Sequence, residues 1–341
     1  FRRAKYKIQL IPIKDESRRY SKCPDSLPTG NFRYFFNAWQ SIPLGESNPD
    51  TTKSIVFRSL QPDKKSIVIA NKRDSLSILK RDFFATRGLL TNYSLEKDRV
   101  DITTTSRLSP FISNGVLSQS DLFKAAKTSV EKNPTMSESA KEYQRQIAWR
   151  DYFSAILYKT PEMELRTLDA SLLSIPWENH EDDYSRWVNG ETGYPIVDSA
   201  MRQLSTEGWI HNRLRMIVAS FLVKHLLVDW RLGMLHFQST LVDHDTAANS
   251  GNWQWIAGTA YFSAPYFRIF NPVIQGVKCD PHGSYVRRWV PELVNIPDKY
   301  IHSPWSYHKK TAMYPAPIID HITARERTLK IFKTAKTLTA N

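Results

Sequence analysis

Two cysteines in 341 residues, Cys23 and Cys279, are too few for a disulfide framework or for a cysteine-based metal or iron–sulfur site, and they fit a reducing, intracellular compartment. The most apolar run, Met216 to Val223, falls far short of the roughly 20 residues that span a bilayer and ends at Lys224, so no membrane-spanning helix is expected. No internal repeat, low-complexity tract, GxGxxG or Walker-type loop occurs. A phosphate-bearing cofactor must therefore be held by side chains and helix ends. Strand-like runs that alternate with helices, as a doubly wound sheet requires, are missing too. The first residue is Phe1 rather than Met, which reads as a fragment or processed form, and no signal peptide can be read from it.

Acidic residues are outnumbered, 34 against 47 Lys and Arg, and the net charge of +13 favours polyanions, nucleic acid above all. Arg213, Arg268, Arg287 and Arg288 lie in or beside tryptophan-rich segments, where phosphates could be held around an aromatic pocket. Aromatic residues are abundant, with 10 Trp, 15 Tyr and 16 Phe in a chain that is 41% hydrophobic, which describes a folded globular protein. Residues 1–74 are interrupted by Pro24, Pro28, Pro43, Pro49 and Pro62 and read as an irregular connector with short elements. From residue 75 onward helical periodicity dominates, with candidate helices at 75–87, 117–130, 137–158, 195–207, 211–228 and 233–242.

Two helix faces stand out. Trp209, Asn212, Arg213 and Met216 fall at i, i+3, i+4 and i+7, as do Gln146, Trp149, Arg150 and Phe153, in a helix that Thr135-Met136-Ser137-Glu138 could open as a capping box. Aromatic stripes at this spacing are usually core. Two of them carrying amides and guanidinium groups, with Trp230, Asp243, Asp245, Asn249, Trp253 and Trp255 close by in sequence, point instead to a buried aromatic cofactor.

Gly193-Tyr194-Pro195-Ile196-Val197-Asp198, Gly208-Trp209-Ile210-His211-Asn212-Arg213-Leu214-Arg215-Met216, Trp253-Gln254-Trp255 and Pro265-Tyr266-Phe267-Arg268-Ile269-Phe270-Asn271-Pro272 closely resemble the DNA photolyase and cryptochrome family. Thr105-Ser106-Arg107-Leu108-Ser109, Gly115-Val116-Leu117-Ser118 and Tyr285-Val286-Arg287-Arg288-Trp289-Val290-Pro291-Glu292-Leu293 extend the resemblance from about residue 75 to the C-terminus. It implies an all-α, multi-helix FAD-binding domain over 75–341, with the family's N-terminal α/β antenna domain absent from this chain. The implied FAD site comprises Tyr93, Thr105, Ser106, Leu108, Ser109, Arg150, Trp209, Arg215, Asp243, Asp245 and Asn249. Hydroxyl and backbone N–H groups at 105–109 with Arg150 would suit a diphosphate, Arg215 and Asp243 would orient the isoalloxazine edge, and Asn249 would face flavin N5. The two aspartates could instead simply cap a helix.

Trp253, Trp230 and Trp177 align with the family's electron-carrying tryptophan chain. Trp149 and Trp255 match the walls of a pocket for a flipped-out pyrimidine dimer, Asn212 and Met216 its floor, and Arg213 and Arg268 its phosphate contacts. The resemblance implies light-driven, class I-like repair of cyclobutane dimers in UV-damaged DNA, by a monomer, in the nucleus if the source is eukaryotic. Departures favour a second reading, a repair-inactive light sensor or binding module. Gln146 stands where a dimer-bonding glutamate is usual, His244 replaces a glycine, and Ala260-Tyr261-Phe262 replaces a more polar stretch whose bulk could narrow the pocket. His211, isolated from any second catalytic histidine, reads as structural.

Overall fold

In a computed structural model of the chain, residues 27–41, 80–262, 264–308 and 314–338 are described, and every regular element among them is helical. Of the stretch read as a connector, residues 27–41 are described and the remainder lies outside. Asn31 Oδ1 accepts the Arg33 N–H at 2.8 Å and opens α1 (Phe32–Gln40), whose Phe32, Phe35, Phe36 and Trp39 form a buried i, i+3, i+4, i+7 stripe. Of the helix expected at 75–87, residues 75–79 lie outside the described chain and only 80–84 are helical.

Ser118 Oγ accepts the Asp121 N–H at 3.0 Å to cap α2 (Gln119–Lys132). The long α3 (Ser137–Lys159) follows, but the capping box does not form. Asn133 Oδ1 takes the Thr135 N–H at 3.2 Å in a 3₁₀ turn that runs straight into the helix, so the first turn of α3 needs no separate side-chain cap. Then come α4 (Glu181–Asn189), α5 (Pro195–Glu207), α6 (Asn212–Ser220), α7 (Trp230–Thr240), α8 (Thr246–Ala257), α9 (Pro272–Cys279), α10 (Ser284–Trp289) and α11 (His321–Leu338).

The helix expected at 211–228 is broken. After α6 the backbone widens into a π turn over Phe221–His225, and Leu227 adopts φ +50°. Lys224, fully buried there, donates to the Ala257 carbonyl at 2.6 Å and sits 3.6 Å from the centre of the Phe332 ring; burial pushes its pKa well below the ordinary lysine range. Thr328 and Arg327 of α11 donate to the carbonyls of Lys224 and His225. The helix expected at 233–242 begins earlier, because Asp229 Oδ1 accepts the Arg231 N–H at 2.9 Å and caps α7 at Trp230.

The helix α8 has no counterpart among the sequence-derived helices. Ala247, Asn249, Ser250, Gly251, Trp253, Gln254, Ile256 and Ala257 are all buried, and the less buried Ala248, Asn252 and Trp255 line the cavity described below, so the helix shows no apolar stripe set against a charged solvent face. It packs against α3, α6 and α7. One apolar core gathers around α5, α6 and α7, another around α1, α2 and α3, and Trp255 packs against both.

At the crossing of α3 and α8 the helices approach so closely that a Cβ on Gly251 would lie 2.2 Å from the Phe153 ring. Gly251→Ala should therefore lower the unfolding free energy by about 1–3 kcal/mol through overpacking. The measurement is a lower urea midpoint with an unchanged slope, and a wild-type midpoint would show that the two helices can separate freely.

Candidate functional site

A cavity of about 490 Å³ opens between the two cores, within the size range of small-molecule sites. From α3 it is lined by Gln146, Trp149, Arg150 and Phe153, the face expected from helical spacing. Trp209, Asn212, Arg213, Arg215 and Met216 come from the start of α6 and the turn before it, and Asp243, Asp245, Asn249, Trp253 and Trp255 from α8 and its approach. Tyr93, Thr105, Ser106, Leu108 and Ser109 complete the opposite wall. Five of the residues expected around the pocket do not border the cavity: Trp230 is fully buried in the core, Trp177 and Arg287 are half-buried, and Arg268 and Arg288 are exposed.

Gly208 closes α5 at φ +66°, a left-handed position that suits glycine, and the chain turns there to deliver Trp209 to the cavity. The Trp209 Nε1–H donates to Ser109 Oγ at 3.1 Å and its ring lies 4.3 Å beneath the Arg107 guanidinium. Arg107 holds φ +51°, which costs a non-glycine residue on the order of 1 kcal/mol and is sustained by this stack and an ion pair with Glu207. The 105–109 loop is thereby fixed against α5 and the Trp209 turn.

The two aspartates divide their roles. Asp245 does cap α8, its Oδ1 accepting the Ala248 N–H at 2.8 Å, while its Oδ2 pairs with Arg150 at 2.7 Å. Asp243 caps nothing. It pairs with Arg215 at 2.8 Å, and Arg215 Nε donates to the Ile210 carbonyl at 2.9 Å. Burial alone would raise the Asp243 carboxyl; the charge and hydrogen bond of Arg215, with help from Ser109 and Arg150, hold it below the ordinary carboxylate value instead. Asn249 donates to the Met234 carbonyl at 3.0 Å, which fixes the orientation of its amide.

Every cation bordering the cavity is already in an ion pair. Besides Arg150, Arg215 and Arg107, Arg213 pairs with Asp98, and Lys97 with Glu142 at 2.9 Å. Glu142 Oε1 also accepts from Gln146 Nε2 at 3.0 Å, so a carboxylate lies one helical turn from the amide that replaces the usual glutamate. His211 also borders the cavity; its Nδ1 accepts the Arg213 N–H at 3.0 Å to cap α6, and burial, with Arg215 and Arg213 close by, lowers its pKa to about 4, so it is neutral near pH 7.

Two expectations about bulk are corrected. Tyr261 is exposed and Phe262 packs edge-on against Tyr152 and Phe153, so neither narrows the cavity; their side chains follow the turn after α8 away from it. His244 does border the cavity. Sequence reasoning missed Lys97, Asp98, Gln119, Tyr143 and Phe237 in the lining. Tyr143 was within reach, since it precedes Gln146 by three on the same helix face. It also missed Trp187, fully buried, whose ring lies edge-on to Trp253 at 6.3 Å.

A family model described as the FAD binding domain of DNA photolyase matches residues 143–334. The deoxyribodipyrimidine photo-lyase of Alkalihalophilus pseudofirmus is 41% identical over 354 residues, covering 95% of this chain and 73% of that protein. The protein of the same name from Vibrio cholerae is 44% identical, over 75% of this chain but only 54% of its own length. Among solved structures, a bacterial class III photolyase from Agrobacterium tumefaciens matches with a TM-score of 0.72 at 42% identity, covering 76% of this chain and 55% of that one. A Synechocystis cryptochrome matches with a TM-score of 0.76 at 26% identity, covering 94% and 70%.

The Asp243–Arg215 pair sets an acid-dependent stability. Because the folded carboxyl is held below its unfolded value near 4, the contribution is complete above that pH and is lost as pH falls through the lower folded value. Asp243→Asn should cost about 1–3 kcal/mol at pH 7. Urea melts of both proteins should show a constant gap from pH 8 to 5 that shrinks in stronger acid; a gap that widens in acid would contradict the assignment.

Proposed function

This chain belongs to the DNA photolyase and cryptochrome family, and we propose that it is a light-driven, FAD-dependent enzyme that splits cyclobutane pyrimidine dimers in DNA. The observation that carries this reading is the joint placement of Trp149, Trp255 and Gln146 at one cavity with the buried Asp243–Arg215 pair. The motifs read as class I-like. The 42% identity with a class III photolyase structure is why the activity, rather than a subclass, is put forward.

The lining fits FAD chemically. Gln119 Oε1, His244 Nδ1 and Trp253 Nε1 border the cavity, buried and without a hydrogen-bond partner among the described residues, a polar demand that a ligand rich in donors and acceptors would meet. Tyr93, Thr105, Ser106, Leu108, Ser109 and Arg150 would hold the phosphate-bearing part, and Trp209, Arg215, Asp243, Asp245 and Asn249 the ring end. Bound and reduced, FAD supplies a photoexcited electron donor for opening a cyclobutane ring.

The chain's own residues do the rest. Trp149 and Trp255 offer flat walls for a flipped-out dimer, where stacking contributes about 1–3 kcal/mol per base and offsets the cost of unstacking it from the duplex. Asn212, hydrogen-bonded to the Met216 sulfur at 3.8 Å, gives the floor a polar and a soft apolar component. Arg213 and Arg268 would meet the flanking phosphates, and the surplus charge of +13 would attract the duplex. Trp253, Trp230 and Trp177 would pass electrons inward from the surface, with Trp230 Nε1–H anchored on Thr167 Oγ1 at 3.4 Å.

Gln146 can donate a hydrogen bond to the dimer but carries no ionisable proton. Gln146→Glu should raise the yield of dimer loss from a short UV-irradiated oligonucleotide. The gain should grow as pH falls, because a protonated glutamate can donate a hydrogen bond and supply a proton whereas its carboxylate can only accept. If neither protein removes cyclobutane or six-four lesions while FAD is demonstrably bound, the light-sensor or repair-inactive binding-module reading replaces the enzyme.

Trp253→Phe should slow reduction of the bound flavin under blue light with an external donor while leaving FAD content unchanged. An unchanged rate would exclude entry of electrons through Trp253.

A further inference from the structure

The helix α1 lies outside the stretch matched by the FAD-binding family model, residues 143–334. This helix and the residues leading into it are nevertheless attached to the C-terminal part of α3. Trp39 Nε1–H donates to Asp151 Oδ2 at 2.8 Å, Tyr152 Oη–H to the Thr29 carbonyl at 2.9 Å, and Lys159 Nζ to the Leu27 carbonyl at 2.8 Å. At the head of this helix the Phe32 ring lies face to face with the Trp149 indole, with centroids 3.5 Å apart and planes within 4°. Arg145, one turn before Trp149, brings its guanidinium to 5.4 Å from the same phenyl ring. Trp149 borders the cavity and Phe32 does not, so the phenyl ring backs the indole from the side away from the cavity.

A flat wall discriminates a base only if its plane is fixed before the base arrives; an indole free to rotate would lose rotamer entropy on binding. On one edge Trp149 meets Tyr152 at a steep 83°, and Phe153 lies offset at 29°, so Phe32 is the ring that defines the indole plane. We propose that Phe32 is a positioning residue for lesion recognition, holding Trp149 in the orientation that stacks on the extruded pyrimidine dimer. This rests on the dimer-photolyase reading and adds to it a residue from outside the matched domain.

The test compares binding of a duplex carrying one cyclobutane thymine dimer with binding of the same undamaged duplex, using the FAD-loaded protein in the dark. Phe32→Leu keeps apolar volume but removes the flat ring, and Phe32→Tyr keeps the ring. Phe32→Leu and Phe32→Ala should both lower the preference for damage, by about 3- to 10-fold if a stack of ordinary strength is lost. Affinity for the intact duplex, its salt dependence and the FAD content should not change, and Phe32→Tyr should restore the wild-type preference. A wild-type preference in Phe32→Leu would reduce Phe32 to core packing and overturn the proposal. A stronger preference in Phe32→Ala would overturn it too, since the ring would then be obstructing the base-binding face. If the wild type shows no preference for the damaged duplex, the dimer-photolyase reading itself fails and this inference falls with it.

Discussion

The approach of α3 to α8 at Phe153 and Gly251 is the constraint from which the cavity follows. Phe153 shares one helix face with Gln146, Trp149 and Arg150, so seating its ring over a residue without a side chain turns the other three toward the space beside α8. The Arg150–Asp245 pair then ties the middle of α3 to the first turn of α8. Asp245 is at once the cap of that helix and the partner of that arginine, which links the start of α8 to the register of the crossing. Asn249, Trp253 and Trp255 reach the cavity because the start and pitch of α8 are set in this way.

Ion pairing gives the cavity an electrostatic character different from that of the whole chain. The chain carries a net +13, yet each of the five cations around the cavity has a carboxylate partner within 4 Å. Unpaired buried ions would be costly, whereas paired ones orient their donors and acceptors without a large local field. The surplus positive charge is therefore carried outward by exposed cations such as Arg268, while the cavity presents flat rings and hydrogen-bonding groups.

The helical class and the two faces that line the cavity were legible because both depend on spacing alone. Gln146, Trp149 and Arg150 on one helix, and Asn212, Arg213 and Met216 on the other, needed only a period of 3.6 to be placed together. The helix α8 was not legible by that route, since its one less buried face carries Ala248, Asn252 and Trp255 rather than charged residues for contrast, and its Asn, Ser and Gly residues argue locally against helix. The helix α1 does carry an apolar stripe, but in a segment punctuated by prolines. Partners far apart in the chain, such as Asp98 with Arg213, leave no local pattern at all. Tyr261 and Phe262 show the reverse error: nearness in sequence to a cavity residue says nothing about direction once a turn intervenes.

The π turn at Phe221–His225 ties the core of the domain to α11. The carbonyl of Lys224 accepts its side-chain hydrogen bond from Thr328, 104 residues later in the chain, and the buried Lys224 Nζ rests against Phe332 on the same helix. On a ribosome, the α6–α7 region therefore emerges well before the groups that complete it, and the lysine stays hydrated until α11 docks. Closure of such a long loop is slow compared with local helix formation. Assembly of this half of the domain is thus timed by the arrival of α11 rather than by the emergence of its own helices.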